Sequence, residues 1–220
     1  MTYSFQFRDV LAAHEFLLDG LILTLELSLF TMASGLLIGV TGAAARVYGP
    51  AWVRRPIAVY VEAIRNTPLI VQLFLIFFGL PSLGVKFDAD TAAFIALSIN
   101  LGAYSIEIVR AGLEAIPRSQ IEAGQSLGLS GVQIFRYVIA FPALKLMYPA
   151  LASQFVLLML ATSVVSQISA QDLFHAASII QSRTFRDFEV YVLVAAAYLA
   201  LAMLFRLLFA GLYWLVFARR

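Results

Sequence analysis

Long apolar stretches separated by short polar ones set the pattern of this chain. A transmembrane helix needs roughly 20 mostly apolar residues to cross a hydrocarbon core of about 30 Å. Five stretches meet that requirement. The first runs from about Leu21 to Ala45 with Glu26 as its one charge, and the second from about Ile57 to Leu80 with Glu62 and Arg65 near its start. The third, about Thr91 to Val109, carries Glu107 near its end, and the fourth, Leu146 to Ile168, carries no charge. The fifth, about Phe188 to Phe217, is interrupted by Arg206. Residues 1–20 contain Asp9, Glu15 and Asp19 and have no basic segment ahead of an apolar one. They read as a surface-lying segment with a short helix, and not as a cleavable signal.

Composition agrees with this pattern. Of 220 residues 62% are apolar and 13% charged, against about 45–50% and 25% in soluble domains. A soluble enzyme, a disordered chain and a disulfide-stapled scaffold are all excluded. The chain has no cysteine, which removes thiolate chemistry. A net charge of +2 gives no reason to expect nucleic acid. His14 and His175 stand alone in the sequence, so no metal site is expected.

Orientation follows from the basic residues flanking the spans. Arg46, Arg54, Arg55, Arg65, Arg110, Arg118, Arg136, Lys145, Arg219 and Arg220 fall on one side, and Arg8, Lys86, Arg183 and Arg186 on the other. Ten against four places the N-terminus outside and the C-terminus in the cytoplasm, the parity that five crossings require. The expectation is an all-α integral membrane protein. It has an outer-face segment over 1–20, a single five-helix domain over 21–217 and a cytoplasmic tail over 218–220.

The link of about 110–142 between the third and fourth spans is long for a membrane bundle, where such length usually serves a task. It reads as two short helices. Pro117 suits a first turn, residues 118–127 are good helix formers, and Gly128 fits a stop. Ser130 is placed to cap a second helix over about Gly131 to Ile139, with Pro142 ending it. Small residues on one side (Ala123, Gly124) and apolar ones on another (Ile121, Leu127) fit a partner surface, while a plain connector between spans is the alternative.

Polar residues within the spans admit two roles. Gln72, Asn100, Gln154, Thr162, Ser163, Ser166 and Gln167 either hydrogen-bond between helices, at about 0.6 kcal/mol each, or line a path. Thr162 and Ser166 at helical spacing would form a polar stripe. Glu107 and Arg110, three apart, are placed to pair on one helix face. Arg206 lies about 16 Å by helix rise from Phe217. It either snorkels to the interface or acts as a fixed charge in the bundle that attracts a substrate carboxylate.

Four motifs in order resemble a known family. Glu122-Ala123-Gly124, then Gly128 and Pro142, looks like the E-A-A loop of bacterial ABC-transporter permeases. Arg65-Asn-Thr-Pro-Leu-Ile-Val-Gln through Pro81, Ala103-Tyr-Ser-Ile-Glu-Ile-Val-Arg-Ala-Gly112 and Ser182-Arg-Thr-Phe-Arg-Asp-Phe-Glu-Val-Tyr191 narrow the likeness to the polar amino-acid uptake group. The resemblance implies the type I ABC importer permease architecture in a bacterial inner membrane. Its partners would be two cytoplasmic ATPase subunits holding ATP and Mg, a second permease subunit, identical or related, and an extracytoplasmic amino-acid-binding protein. Membrane lipid would surround it, and the permease itself would bind no cofactor. It implies that Gln120, Glu122, Ala123, Gly124, Ser126, Leu127 and Gly128 form the coupling helix docked on the ATPase, and that Gln72, Gln154, Thr162, Ser163 and Arg206 are the candidates for a substrate path. The chain shows no phosphate-binding loop of its own.

Two departures from the family pattern stand out. Gly124 replaces the usual alanine, and Leu160-Ala161 stands where Lys-Asp or Lys-Asn usually precedes Thr-Ser. The second departure leans the reading toward a heteromeric pair. A secondary transporter or channel, and a membrane anchor that transports nothing, are the competing readings.

Overall fold

The computed structural model describes residues 5–217, all helical or connecting, with no strand among them. A short helix α1 (Arg8–Ala12) leads into α2 (His14–Tyr48), a single 35-residue helix. The helix that carries the first span therefore begins at His14, inside the segment read as lying on the outer face. α1 is anchored too: Val10 is fully buried against Leu173, Ala177 and Ile180.

The second span is not one helix. α3 (Ala51–Arg65) and the run Leu69–Leu83 meet at 109°. That run comprises α4 (Leu69–Phe74), a π turn (Leu75–Gly79) and a 3-10 turn (Leu80–Leu83). Pro68 causes the break. Its ring pushes Thr67 out of the helical region, and it has no N–H to donate to the Ile64 carbonyl. Among the described residues there are thus four helices long and apolar enough to cross a membrane, or five crossings if the bent pair is one.

α5 (Ala89–Glu114) is the central helix, capped by the Asp88 carboxylate, which accepts from the Thr91 N–H. It runs parallel to α2 at close range. Ser34 bonds Ser98 at 2.7 Å, and Gly35, Gly39 and Gly42 face Leu101, Ser105 and Ile106 in turn. A Cβ on Gly39 would lie 2.3 Å from the Ser105 Cβ. Such small-residue stripes let helix backbones approach where lipid supplies no hydrophobic drive between helices.

After α6 (Arg118–Ser126) the chain climbs back through α7 (Gly131–Ile134), a π turn (Phe135–Ile139), α8 (Ala140–Ala161) and a 3-10 segment (Thr162–Ile168). Pro142 does not end a helix at Ile139 as the sequence suggests. The π turn just before it, in which the Ala140 N–H reaches the Phe135 carbonyl, widens the backbone and relieves the clash that a proline ring makes with a regular i−4 carbonyl. The helix that carries the fourth span therefore runs from Gly131 to Ile168, beginning well ahead of the apolar stretch read from Leu146.

A helix absent from the sequence reading follows. α9 (Leu173–Thr184) is 12 residues long, too short to cross a bilayer. Left-handed residues bracket it, Ser169 (φ 65°) and Phe185 (φ 54°). Asp172, fully buried, caps it by accepting from the His175 N–H at 2.9 Å and from the Tyr198 hydroxyl at 3.2 Å. The fold closes with α10 (Asp187–Phe217), antiparallel to α8 and joined to it by Phe155–Phe209, Tyr148–Tyr213 and Phe141–Phe217 ring contacts.

Candidate functional site

α6 is a two-turn helix held off the bundle by a defined stop. Gly128 (φ 75°) adopts the left-handed conformation. The Leu129 N–H returns to the Gly124 carbonyl at 3.1 Å, and the Gly128 N–H to the Gln125 carbonyl at 2.9 Å. This is the paired-bond helix ending that glycine favours. Ser130 then opens α7 with a reciprocal cap: its N–H donates to the Gln133 side chain at 2.8 Å while its Oγ accepts from the Gln133 N–H. Gly124 faces inward, where an added Cβ would stand 3.2 Å from the Ile134 Cγ1. The small side of α6 thus rests on its own chain. Glu122, Ala123, Ser126 and Leu127 are exposed, Leu127 at 80%, while Gln120, one turn before Gly124, lines a groove with Pro142, Lys145 and Tyr213.

Next to α6, at the end of α5, the charges form a network wider than the expected pair. Glu107 accepts from Arg46 at 2.7 Å and from Arg110, and Arg110 also reaches Glu114. The carboxylate of Glu107 therefore ties α2 to α5. Arg65 lies over the Tyr104 ring at 5.3 Å and makes no ion pair among the described residues.

The polar residues proposed for a path do not converge on one cavity. Gln72 is buried, and its amide is occupied at the break. Its nitrogen donates to the carbonyls of Ile64 (2.8 Å) and Thr67 (3.0 Å) and to the Thr67 hydroxyl, and its oxygen accepts from Asn100 at 2.9 Å. Thr162 is fully buried, with its hydroxyl bonded back to the Met159 carbonyl. The stripe expected of Thr162 and Ser166 is absent because this segment is 3-10. There the threefold repeat puts Thr162, Val165 and Ile168 on the buried side. Ser163 and Ser166 bond back to the carbonyls of Leu160 and Ser163.

Gln154 and Arg206 stand on cavities, but separate ones. Arg206 is exposed in a mainly apolar groove of about 340 Å³ between α8 and α10, beside Tyr148, Ser153 and Tyr213, with no ion pair among the described residues. Gln154 lines a cleft of about 560 Å³ between α5 and α8 that extends to Arg65 and Tyr104. A smaller cavity of about 210 Å³ continues it past the same two residues to Glu62 and Asn66. Sequence reasoning noted Glu62 as a charge inside an apolar run, and Arg65 as such a charge, as one of the flanking basic residues and as the head of a family motif, but named neither as a site residue. Their presence there, three residues apart ahead of a proline, was the signal that the run is not a simple span. No group of three or more His, Cys, Asp or Glu side chains placed to hold a metal ion occurs among the described residues.

Comparison with known proteins agrees with this architecture. The octopine transport system permease protein OccM of Rhizobium radiobacter is 33% identical over 213 residues, covering 93% of this chain and 87% of its own. The glutamine transport system permease protein GlnP of Escherichia coli (strain K12) is 35% identical over 202 residues, covering 90% and 92%. A crystal structure of an amino acid ABC transporter with histidines contains a chain that superposes with a TM-score of 0.90 at 36% identity, over 96% of this chain and 99% of that one. The MetNI methionine ABC transporter in an inward-facing form shares the fold, with a TM-score of 0.77 at 20% identity over 91% and 96% of the two chains. Residues 35–219 match the family of binding-protein-dependent transport system inner membrane components, and to that family this chain belongs.

Proposed function

We propose that this chain is the membrane subunit of an ATP-driven importer that moves a polar amino acid delivered by an extracytoplasmic binding protein. It pairs with a second permease subunit and with two ATPase subunits, which hold ATP and Mg and carry out the hydrolysis. In this reading the N-terminus is outside and α6 lies in the cytoplasm, in line with the distribution of Lys and Arg. α6 docks on the ATPase through Gln120, Glu122, Ala123, Ser126 and Leu127. Gly124 and Gly128 set its seat and its stop.

The observation that carries the docking role is the mounting of α6. A short polar helix with an 80% exposed leucine at its end follows the buried Ile116 and is closed by the Gly128 stop. It leads through a capped turn into an unbroken helix reaching Ile168. A lever must be stiff where it is pushed and continuous where it delivers, and this element is both. Gln154, Ser163 and Arg206 remain the path candidates, with Thr162 and Gln72 as framework beside them.

The test is ATP-dependent amino-acid uptake in liposomes containing the whole complex, comparing wild type with Glu122→Lys. Charge reversal on the exposed face is expected to abolish ATPase copurification and uptake while the permease still elutes as a folded subunit. Full uptake by the variant would reduce α6 to a connector and remove the mechanical basis of the proposal.

A further inference from the structure

We propose that the cleft at the break of the second span is a binding station for the head group of an α-amino acid, with Arg65 taking its carboxylate and Glu62 its ammonium. The inference rests on the importer reading and adds to it the residues and the ligand chemistry.

Glu62 and Arg65 are three residues apart on α3, so they are neighbours on one face with Cβ atoms about 5–6 Å apart. Opposite charges at that spacing ordinarily close on each other. Here neither makes an ion pair among the described residues. The Glu62 carboxylate accepts only from Asn66 at 3.2 Å, and the Arg65 guanidinium lies over Tyr104. Both side chains are exposed to the same cavity. An acid and a base held side by side and unpaired match a ligand that carries the two opposite charges on a single carbon. An arginine fork stacked on an aromatic face is also set in orientation for a planar carboxylate.

From that point the cleft of about 560 Å³ runs along α5 and α8 to Gln154. Its far wall is apolar apart from Gln154 and Glu107. Glu107 is already matched by Arg46 and Arg110, so it offers no free charge. The space that receives the ligand's side chain therefore favours an uncharged group able to exchange hydrogen bonds with an amide.

The assay is equilibrium binding of tritiated L-glutamine, L-asparagine, L-threonine and L-serine to the purified whole complex in lipid nanodiscs without the binding protein. Competition by the decarboxylated amine and by the des-amino acid of the tightest ligand follows. Arg65→Gln is expected to weaken the amino acid at least tenfold and leave the decarboxylated amine unchanged. Glu62→Gln is expected to do the same with the des-amino acid as the unchanged ligand, and Arg65→Lys to recover part of the loss. Equal loss for the amino acid and its truncated analogues would make Arg65 and Glu62 structural and overturn the station. So would binding of none of the four amino acids by a wild-type complex that imports one with ATP, and the importer reading would then stand. Absence of ATP-dependent uptake of any amino acid in liposomes would remove both.

Discussion

Gln72 holds the break in the second span together, and its loss is predicted to be costly for a reason visible in the geometry. Pro68 leaves the Ile64 carbonyl without the N–H that a continuous helix would supply. The Gln72 amide nitrogen takes over that carbonyl at 2.8 Å and the Thr67 carbonyl at 3.0 Å. Its oxygen accepts from Asn100 on α5 at 2.9 Å. Gln72→Met keeps the length and the flexibility of the side chain and deletes all these bonds. The Asn100 link alone is an ordinary interhelical bond of about 0.6 kcal/mol in a membrane. Thr67 is exposed and Ile64 half-buried, and the Ile64 carbonyl keeps the Thr67 N–H at 3.5 Å. The two carbonyl bonds therefore count as ordinary ones of about 0.5–1 kcal/mol each, and the expected total is about 1.5–2.5 kcal/mol. Reversible unfolding in mixed micelles measures it. A double-mutant cycle with Pro68→Ala assigns it, because alanine restores an N–H for Ile64 and should recover about 1 kcal/mol of the Gln72→Met loss. A loss below about 0.5 kcal/mol for Gln72→Met, or no coupling to Pro68→Ala, would refute the account of the break.

Other perturbations give equally definite expectations. Gly39→Ala brings a Cβ to 2.3 Å from the Ser105 Cβ and 3.1 Å from its backbone carbon. The strain of forcing α2 from α5, about 1–3 kcal/mol, should outweigh the roughly 1 kcal/mol of added helix propensity and lower the melting temperature. Gly211→Ala, with nothing within 4 Å, should leave it unchanged or raise it. Glu107→Gln leaves Arg46 and Arg110 facing each other. With these side chains about a quarter exposed, the expected loss is about 1–2 kcal/mol after solvent screening, and Arg46→Met on the same chain should return part of it. Asp172 has its carboxyl pushed up to about 6, first by burial, against lowering by bonds from His175, Phe174 and Tyr198. A raised acid binds its proton more tightly in the folded state. Its contribution is therefore complete below about pH 4 and is lost as pH rises through about 6. Wild type should be more stable at pH 5 than at pH 7.5 by about 1.4 kcal/mol, and Asp172→Asn should flatten that slope while keeping the cap on α9.

The sequence disclosed what depends on local composition. Apolar length marked four of the spans, Ser130 and Gly128 marked the turn between α6 and α7, and four ordered motifs marked the family. It did not disclose what depends on where carbonyls and donors meet in space. The Thr162–Ser166 stripe was drawn with a period of 3.6, and the chain there winds with a period of 3. α9 was missed because its 12 residues carry neither span length nor a strong apolar run, although Asp172 just ahead of it is a local start signal as its N-cap. The pairing of Glu107 with Arg46, 61 residues away, is a tertiary contact that no local rule yields. The i, i+3 relation to Arg110 was within reach of such a rule.

The prolines show why one reading succeeded and another did not. Pro56 and Pro149 lie inside α3 and α8, and Pro142 lies just past a π turn, whereas Pro68 breaks its run. Proline removes one donor and demands room in the preceding turn, and the outcome depends on what the neighbours provide. Ahead of Pro142, Val138 and Ile139 face inward, and widening the helix keeps them there, with Ile139 buried in one cluster with Ala143 and Val109. Ahead of Pro68 stand Arg65, Asn66 and Thr67, which gain nothing from apolar burial and bond locally: Asn66 and Thr67 donate back to the carbonyls of Glu62 and Ala63. Such side-chain bonds to nearby backbone offer an alternative to continuing the helix. The chain therefore turns where polar side chains can satisfy the backbone on their own, and runs on where they cannot. The same three residues that permit the turn also leave Arg65 and Glu62 facing open space, so the break and the charged cleft are consequences of one local sequence.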